Sequence, residues 1–238
     1  QPLDVPLSAG PVTLRIDAIG GPGMILSLAE PVVTTDDGPA LEAATGAALA
    51  DNLILIVVDA QRSDTVGPYA REKKRPRIYD AMEGLADAGS AFRWAYSPAN
   101  STRPSTYGFL SSQWQRYGRF HSVDWGLGPE AKARFFKANV PVLPRLLGPA
   151  GYRSVAIGND AFLFGHQPVG LDAAFDLVID HRNSVKDTPW MTDSAITWLE
   201  AHKDQRFFML LNYNSPHRPY EPPDEVRRAV NRRINAAA

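Results

Sequence analysis

Residues 52–64 read NLILIVVDAQRSD, and this stretch decides the fold. Leucine, isoleucine and valine follow one another from Leu53 to Val58 without alternation. Such a run is typical of a strand buried on both faces, as in a parallel sheet with helices on both sides. The run stops at Asp59. Ligands bind beyond the carboxyl ends of strands in open α/β sheets, so Asp59 is well placed for a hard cation, although a strand-end Asp can equally cap the next turn.

Strands and helices alternate along the rest of the chain. The predicted strands span residues 91–96, 152–157, 175–179 and 207–211, and the predicted helices span residues 76–89, 142–147 and 192–203. This alternation predicts an α/β fold with a doubly wound, mostly parallel sheet and helices on both faces. The polar residues that follow these strands could converge on one edge of the sheet; they are Asp59, Asn159, Asp180 and His217.

The helix at 192–203 is predicted to be amphipathic. Its inward-facing residues are expected to be Ala195, Ile196, Trp198 and Leu199. Charged residues occupy the opposite face, as expected for a helix that covers a sheet.

Three segments are predicted along the chain. Residues 1–38 form a short β-rich N-terminal segment, because apolar and polar residues alternate from Val12 onward. Residues 39–50 form a linker and an Ala-rich helix, and residues 51–238 form the α/β catalytic domain. We expect that domain to be incomplete at its C-terminal end, because residues 224–238 are typical of a helix that should continue.

The composition limits the possible functions. The chain has 238 residues, of which 44% are hydrophobic and 21% charged, and its net charge of -1 provides no electrostatic footprint for nucleic acid. It contains no cysteine, which excludes disulfides and thiolate chemistry. The chain begins at Gln1, and a signal peptide could already have been removed. We expect a periplasmic, secreted or cell-surface protein.

The polar loop SPANSTRPST spans residues 97–106 and leads into a predicted helix. Pro104 lies just inside the start of that helix, so Ser101 and Thr102 lie near its N-cap. Backbone N–H groups and the helix dipole favour an anion at such a position. Ser-Thr before Pro is also a common plain helix cap, so this loop alone does not decide between the two uses.

Five stretches together resemble a known family. In chain order they read NLILIVVDAQRSD, PRIYDAMEGLADAGSAFRWAYSPANSTRPSTYGFLSS, GYRSVAIGN, GLDAAFD and RFFMLLNYNSPHRPYEPP. From residue 52 to residue 223 the chain resembles the N-terminal part of the sulfatases, within the alkaline phosphatase superfamily. The resemblance implies an alkaline phosphatase-like fold, activity on sulfuric or phosphoric esters, and a divalent metal (Ca, Mn, Zn or Mg) bound by Asp59.

The resemblance also implies a nucleophile at the start of the helix after residue 101. Sulfatases carry Cys or Ser, any residue, Pro, any residue and Arg there, and oxidise the Cys or Ser to formylglycine. Alignment on Pro104 places Thr102 at the nucleophile and Thr106 at the Arg. Threonine cannot yield that aldehyde, so formylglycine is not expected. Similar superfamily members use an unmodified Thr or Ser on phosphate esters, which implies Thr102 as nucleophile and metal ligand.

Three further residues receive roles through the resemblance. Arg103 would hold the charged oxygens of the transferring group, and Asn159 could donate a hydrogen bond to a substrate oxygen. His217 matches a family histidine that would bind the anion or protonate the leaving oxygen. The chain departs from the sulfatase pattern at Ala60, where a second Asp is usual, and at residues 158–161, where Lys and His are usual.

The favoured hypothesis is a metal-dependent, sulfatase-like hydrolase or transferase of phosphate or phosphonate esters. One alternative is a sulfatase acting on a sulfated sugar or aryl sulfate, and the other is a non-catalytic binding protein with the same fold. The substrate would be a small-molecule, saccharide or lipid ester, and no nucleic acid is expected. Asp59 and Thr102 are too few ligands for a tight divalent site, so a second chain or a missing C-terminal part would complete it.

Overall fold

The computed structural model describes residues 52–67, 69, 80–114, 128–159, 170–181 and 187–236. By its contacts the chain divides into residues 1–40 and 41–238, and every described residue belongs to the second unit. The predicted N-terminal segment at 1–38 and the linker and helix at 39–50 lie outside the described residues and stay predictions.

Four parallel strands form the sheet in this part of the chain. They are β1 (Asn52–Val58), β2 (Arg153–Gly158), β3 (Leu177–Asp180) and β4 (Phe207–Tyr213). Their order across the sheet is β1-β4-β2-β3, and each neighbouring pair is parallel. The predicted parallel α/β sheet is therefore confirmed.

Six α-helices accompany the sheet in the described ranges. They are α1 (Asp80–Ala88), α2 (Thr102–Ser111), α3 (Pro129–Lys137), α4 (Leu143–Leu147), α5 (Thr188–His202) and α6 (Asp224–Ala236). Helix α5 begins four residues before the predicted start, because Asp187 caps it and Pro189 is favourable in a first helical turn.

Helices pack on both faces of the sheet, as predicted. On one face, Tyr107 and Leu110 of α2 join a core with Phe208 and Leu210 of β4. On the other face, the core consists of Val155, Ile157, Ala195, Trp198, Phe207, Met209 and Leu211. Side chains alternate between the faces along a strand, so the continuous apolar run of β4 supplies both cores.

The prediction that β1 is buried on both faces is wrong for the described structure. Leu53, Ile54 and Ile56 are 36%, 45% and 51% exposed. The strand lies at the outside of the sheet and pairs only with β4 among the described strands. Hydrophobicity predicted the strand, but the strand order determines how much of it is covered.

Two smaller predictions are also wrong. Residues 91–96 form no strand, and Phe92, Trp94 and Tyr96 are each at least 74% exposed. Ile196 of α5 was expected to face the core, but it is 48% exposed. Ala195 and Trp198 are buried, as predicted, because their positions on the helix face β2 and β4.

Candidate active site

Asp59 lies directly after β1, where the chain turns away from the sheet. Its backbone N–H donates to the carbonyl of Tyr213 at 2.8 Å, so the position is fixed to the end of β4. Ala60 follows with φ of 56°, a left-handed conformation that is uncommon for a residue with a Cβ. The turn therefore presents the Asp59 side chain at the carboxyl edge of the sheet.

Hydrogen bonds also hold the loop after Asp59. Arg62 contacts Asp64 through two bonds, with Nε 3.0 Å from Oδ1 and a terminal nitrogen 2.8 Å from Oδ2. The hydrogen bond and the charge of Asp64 raise the pKa of the Arg62 guanidinium above its usual value. The Asp64 carboxylate is thus paired with a neighbouring arginine.

Helix α2 begins at the same edge. Ser101 is its N-cap residue in extended conformation, and its side chain makes no capping hydrogen bond. The preceding loop is held from within, because Ser97 Oγ and Ser105 Oγ donate to the carbonyl of Ala99 at 2.7 and 3.0 Å. The first turn of α2 is therefore positioned without a side-chain cap on its N–H groups.

The hydroxyl of Thr102 contacts the carboxylate of Asp59. Thr102 Oγ1 donates to Asp59 Oδ2 at 3.0 Å, although the two residues are 43 positions apart in the sequence. Both residues are half-buried, so the pair is reachable from solvent. The structure thus brings together the two residues for which metal binding was predicted, while their chemical roles stay predictions.

Thr106 has a structural use in α2. It is 2% exposed, and its hydroxyl donates to the carbonyl of Thr102 at 2.9 Å. This bond stays inside the helix, one turn from the Asp59 contact. The residue at the position of the sulfatase Arg therefore shapes the helix start and does not present a cation.

The other predicted site residues lie in different surroundings. Arg103 and Asn159 are 3% and 4% exposed. Asn159 follows β2, whereas Arg103 is in the first turn of α2. His217 is exposed in the loop after β4, where its N–H donates to the carbonyl of Asn214 at 3.1 Å and its Nδ1 lies 3.0 Å from the carbonyl of Arg218. The ring of His217 bonds within its own loop and not to Thr102 or Asp59.

Two features at this edge were not expected from the sequence. Asn212 in β4 is 0% exposed, and neither side-chain atom has a hydrogen-bond partner, a state that costs about 1–3 kcal/mol for a buried polar group. His181 follows β3, and its Nε2 lies 3.4 Å from Asp187 Oδ2. A polar residue inside the apolar run FFMLLNY signalled Asn212, whereas His181 and Asp187 meet only in the fold.

The donors at this edge fit part of a divalent cation site. A carboxylate and a hydroxyl are the hard oxygen ligands that Mg²⁺, Ca²⁺ and Mn²⁺ prefer. Within the described ranges, no group of three or more His, Asp or Glu side chains could hold a metal ion. In the same ranges, no helix has the length and apolar character needed to cross a membrane.

The sequence matches the model of one protein family. The Sulfatase family model matches residues 51–236, which is most of the chain. No curated protein matches the sequence.

Matches among solved structures each cover 73% of this chain. The lipoteichoic acid synthase LtaP from Listeria monocytogenes is 19% identical with a TM-score of 0.50. A protein in the alkaline phosphatase superfamily from Vibrio parahaemolyticus is 16% identical with a TM-score of 0.48. The match covers 43% of the Listeria chain and 42% of the Vibrio chain, so this chain spans less than half the length of either.

Proposed function

The chain belongs to the sulfatase family, and we propose on this premise that it is a metal-dependent hydrolase or transferase of phosphate or phosphonate esters. Its nucleophile is the unmodified hydroxyl of Thr102. The observation that carries the proposal is the 3.0 Å hydrogen bond from Thr102 Oγ1 to Asp59 Oδ2 at the start of α2. The substrate is a small-molecule, saccharide or lipid ester.

The hydroxyl of Thr102 loses its proton to solvent water and attacks phosphorus, which forms an oxygen–phosphorus bond and breaks the bond to the leaving alkoxide. Asp59 accepts the hydroxyl hydrogen bond and so aims the oxygen at the substrate. A divalent cation bound by Asp59 and Thr102 would lower the pKa of the Thr102 hydroxyl and neutralise negative charge on the phosphoryl group. In the hydrolase, water then cleaves the phosphothreonine; in the transferase, a second alcohol does.

The start of α2 stabilises the charge of the transferring group. The side chain of Ser101 does not cap the first turn, so its backbone N–H groups can donate to phosphoryl oxygens. Arg103 lies in the same turn and contributes positive charge. His217 protonates the leaving oxygen, and Asn159 donates to a non-bridging oxygen.

The test uses the full-length protein with aryl phosphate, aryl phosphodiester and aryl phosphonate substrates, each with Mg²⁺, Mn²⁺, Zn²⁺ or Ca²⁺. We expect Thr102→Ala to lower turnover on the order of 10³-fold or more, because it removes the attacking oxygen. Asp59→Asn should weaken metal binding at least about 100-fold, more than loss of an outer-shell partner does.

Ser101→Ala is the matched control for Thr102→Ala, since it removes the adjacent hydroxyl from a side chain that makes no cap. Mass spectrometry of an acid-quenched reaction should find phosphate on the peptide that contains Thr102. Unchanged turnover in Thr102→Ala would rule out the nucleophile. Turnover of an aryl sulfate but of no phosphorus ester would favour a sulfatase with an unusual nucleophile.

A further inference from the structure

The side chain of His181 is held by the first turn of α5. Its ring stacks on Trp190, with centroids 4.1 Å apart and an interplanar angle of 20°. Its Nε2 lies 3.4 Å from Asp187 Oδ2. The backbone N–H of His181 donates to the carbonyl of Gly158 at 3.1 Å, which fixes the residue to the end of β2. His181 therefore joins the carboxyl edge of the sheet to the start of α5.

Asp187 has two partners in this arrangement. Its Oδ1 accepts the N–H of Trp190 at 3.0 Å and so caps the helix. Its Oδ2 faces His181. The carboxylate thus couples the orientation of the histidine to the formation of the first helical turn.

The first two turns of α5 also contact the segment that leads to His217. The hydroxyls of Thr188 and Ser215 are hydrogen-bonded, and Ser215 precedes His217 by two residues. Thr192 Oγ1 lies 3.0 Å from the hydroxyl of Tyr213. Because Thr192 donates its proton to the carbonyl of Thr188 at 3.0 Å, Tyr213 is the donor in this second contact.

These contacts form one continuous connection. His181 contacts the first turn of α5, and the first two turns of the helix contact Tyr213 and Ser215 through two hydroxyl pairs. The carbonyl of Tyr213 in turn accepts the N–H of Asp59. The connection therefore lies between the turn of Asp59 and the loop of His217.

We propose that His181 is a positioning residue, which locks the first turn of α5 so that Thr188 and Thr192 hold the His217 loop in its working place. The inference rests on the proposed function for the catalytic role of His217. The ring must provide both an aromatic face for Trp190 and a nitrogen for Asp187, so neither an aliphatic nor a purely aromatic residue replaces it. In this role His181 acts through Trp190 and Asp187.

The helix provides its own control. His202, at the opposite end of α5, also stacks on a tryptophan, Trp198, with centroids 4.1 Å apart, and its Nδ1 lies 2.7 Å from the carbonyl of Trp198. The substitutions His181→Ala and His202→Ala therefore remove the same ring from the same kind of stack. Only the first stack lies at the end of α5 that contacts Ser215 and Tyr213.

The experiment measures amide hydrogen exchange at residues 214–218 together with kcat and KM on the full-length protein. The His217 amide, which donates to Asn214, is the reporter. We expect His181→Ala to speed its exchange at least about fivefold and to lower kcat roughly 10-fold with little change in KM, because the loop is misplaced while substrate contacts persist. His202→Ala should leave both unchanged.

Two further variants separate the contributions. His181→Phe keeps the stack but loses the Asp187 contact, so it should give an intermediate effect. Thr188→Val keeps the shape but breaks the Ser215 bond, so it should loosen the loop by itself. In the double variant His181→Ala/Thr188→Val the effects should be less than additive, since both act through one connection.

Unchanged exchange at residues 214–218 in both His181→Ala and Thr188→Val would overturn the proposal. Faster exchange with unchanged kcat would support the positioning of the loop and contradict the catalytic role of His217. Loss of all activity in Thr102→Ala does not bear on the exchange result, so the two hypotheses fail separately.

Discussion

Helices α2 and α5 both begin at the carboxyl edge of the sheet, but their first turns are satisfied differently. Asp187 caps α5 with its own carboxylate, whereas Ser101 at the start of α2 makes no such bond. The hydroxyl of Thr102 contacts Asp59 across the edge. In α5 the side-chain cap stabilises the helix start itself. In α2 the side chain of the N-cap residue makes no such bond, which is the arrangement that an anion-binding helix start requires.

The largest expected effect comes from a substitution that disturbs the packing of α2 against the loop before it. A Cβ on Gly108 would lie 2.7 Å from Cγ and 2.8 Å from Cβ of Pro98. We expect Gly108→Ala to push away the loop that precedes Thr102 and to cost about 1–3 kcal/mol of unfolding free energy. Urea denaturation and turnover both measure the effect.

The control for this substitution lies in α1. A Cβ on Gly84 would meet no atom within 4 Å, so Gly84→Ala should stabilise the protein by up to about 1 kcal/mol. If Gly108→Ala behaves like Gly84→Ala, the loop is not held by its contact with the helix.

The second prediction concerns the N-cap residues of the two helices, Asp187 and Ser101. Asp187→Ala removes a capping bond of 3.0 Å and should lower the free energy of unfolding by about 1 kcal/mol. Ser101→Ala removes a side chain without a capping bond and should change it little. Denaturation midpoints of the two variants measure the difference. Equal losses would show that Ser101 caps α2 in solution, and the contrast between the helices would fail.

The smallest expected effect is the pH dependence that comes from Tyr107, whose buried ring packs the middle of α2 into the core. Burial raises the pKa of the Tyr107 phenol above its usual value, partly offset by a hydrogen bond with Ser111. The unfolded chain then loses this proton at lower pH than the folded protein. The contribution of the neutral, buried phenol to the free energy of unfolding is therefore complete below about pH 10, and it falls as the pH rises further.

Tyr107→Phe should accordingly reduce the alkaline loss of stability relative to the unsubstituted protein. At pH 8 the variant should lose about 1–3 kcal/mol, because it gives up the hydrogen bonds of the phenol with Gln113 and Ser111. Urea midpoints at pH 8 and above pH 10 test this. Parallel pH curves for the two proteins would show that Tyr107 ionises equally in both states.

Sequence patterns predicted the interior of the fold well. The apolar runs of β2 and β4 predict strands between two layers, and both strands are buried in the structure. They could not predict that β1 lies outside β4, since a run such as LILIVV is the same at either position. The alternation in FRWAY likewise predicts a strand, but a strand also needs a neighbour to pair with.

The candidate site was predictable where it depends on strand ends and family motifs. Thr102 and Asp59 were expected at one edge, and their side chains meet there. The contact of His181 with Asp187 was not predictable, because it depends on where the end of β3 lies relative to the start of α5 in the fold. Asn212 is visible in the sequence as a polar residue inside an apolar run, but its pairing with Val57 and Gly158 depends on the strand order.

The outer position of β1 affects how this chain behaves at high concentration. Branched aliphatic side chains on an outer strand, beside backbone groups that face no further strand of the described sheet, are a template for strand addition by another molecule. The same strand delivers Asp59 to the edge. Strand addition at β1 would thus engage the segment that carries Asp59, to which we assign metal binding in the proposed function. If that assignment holds, specific activity would fall as more protein is added to the assay.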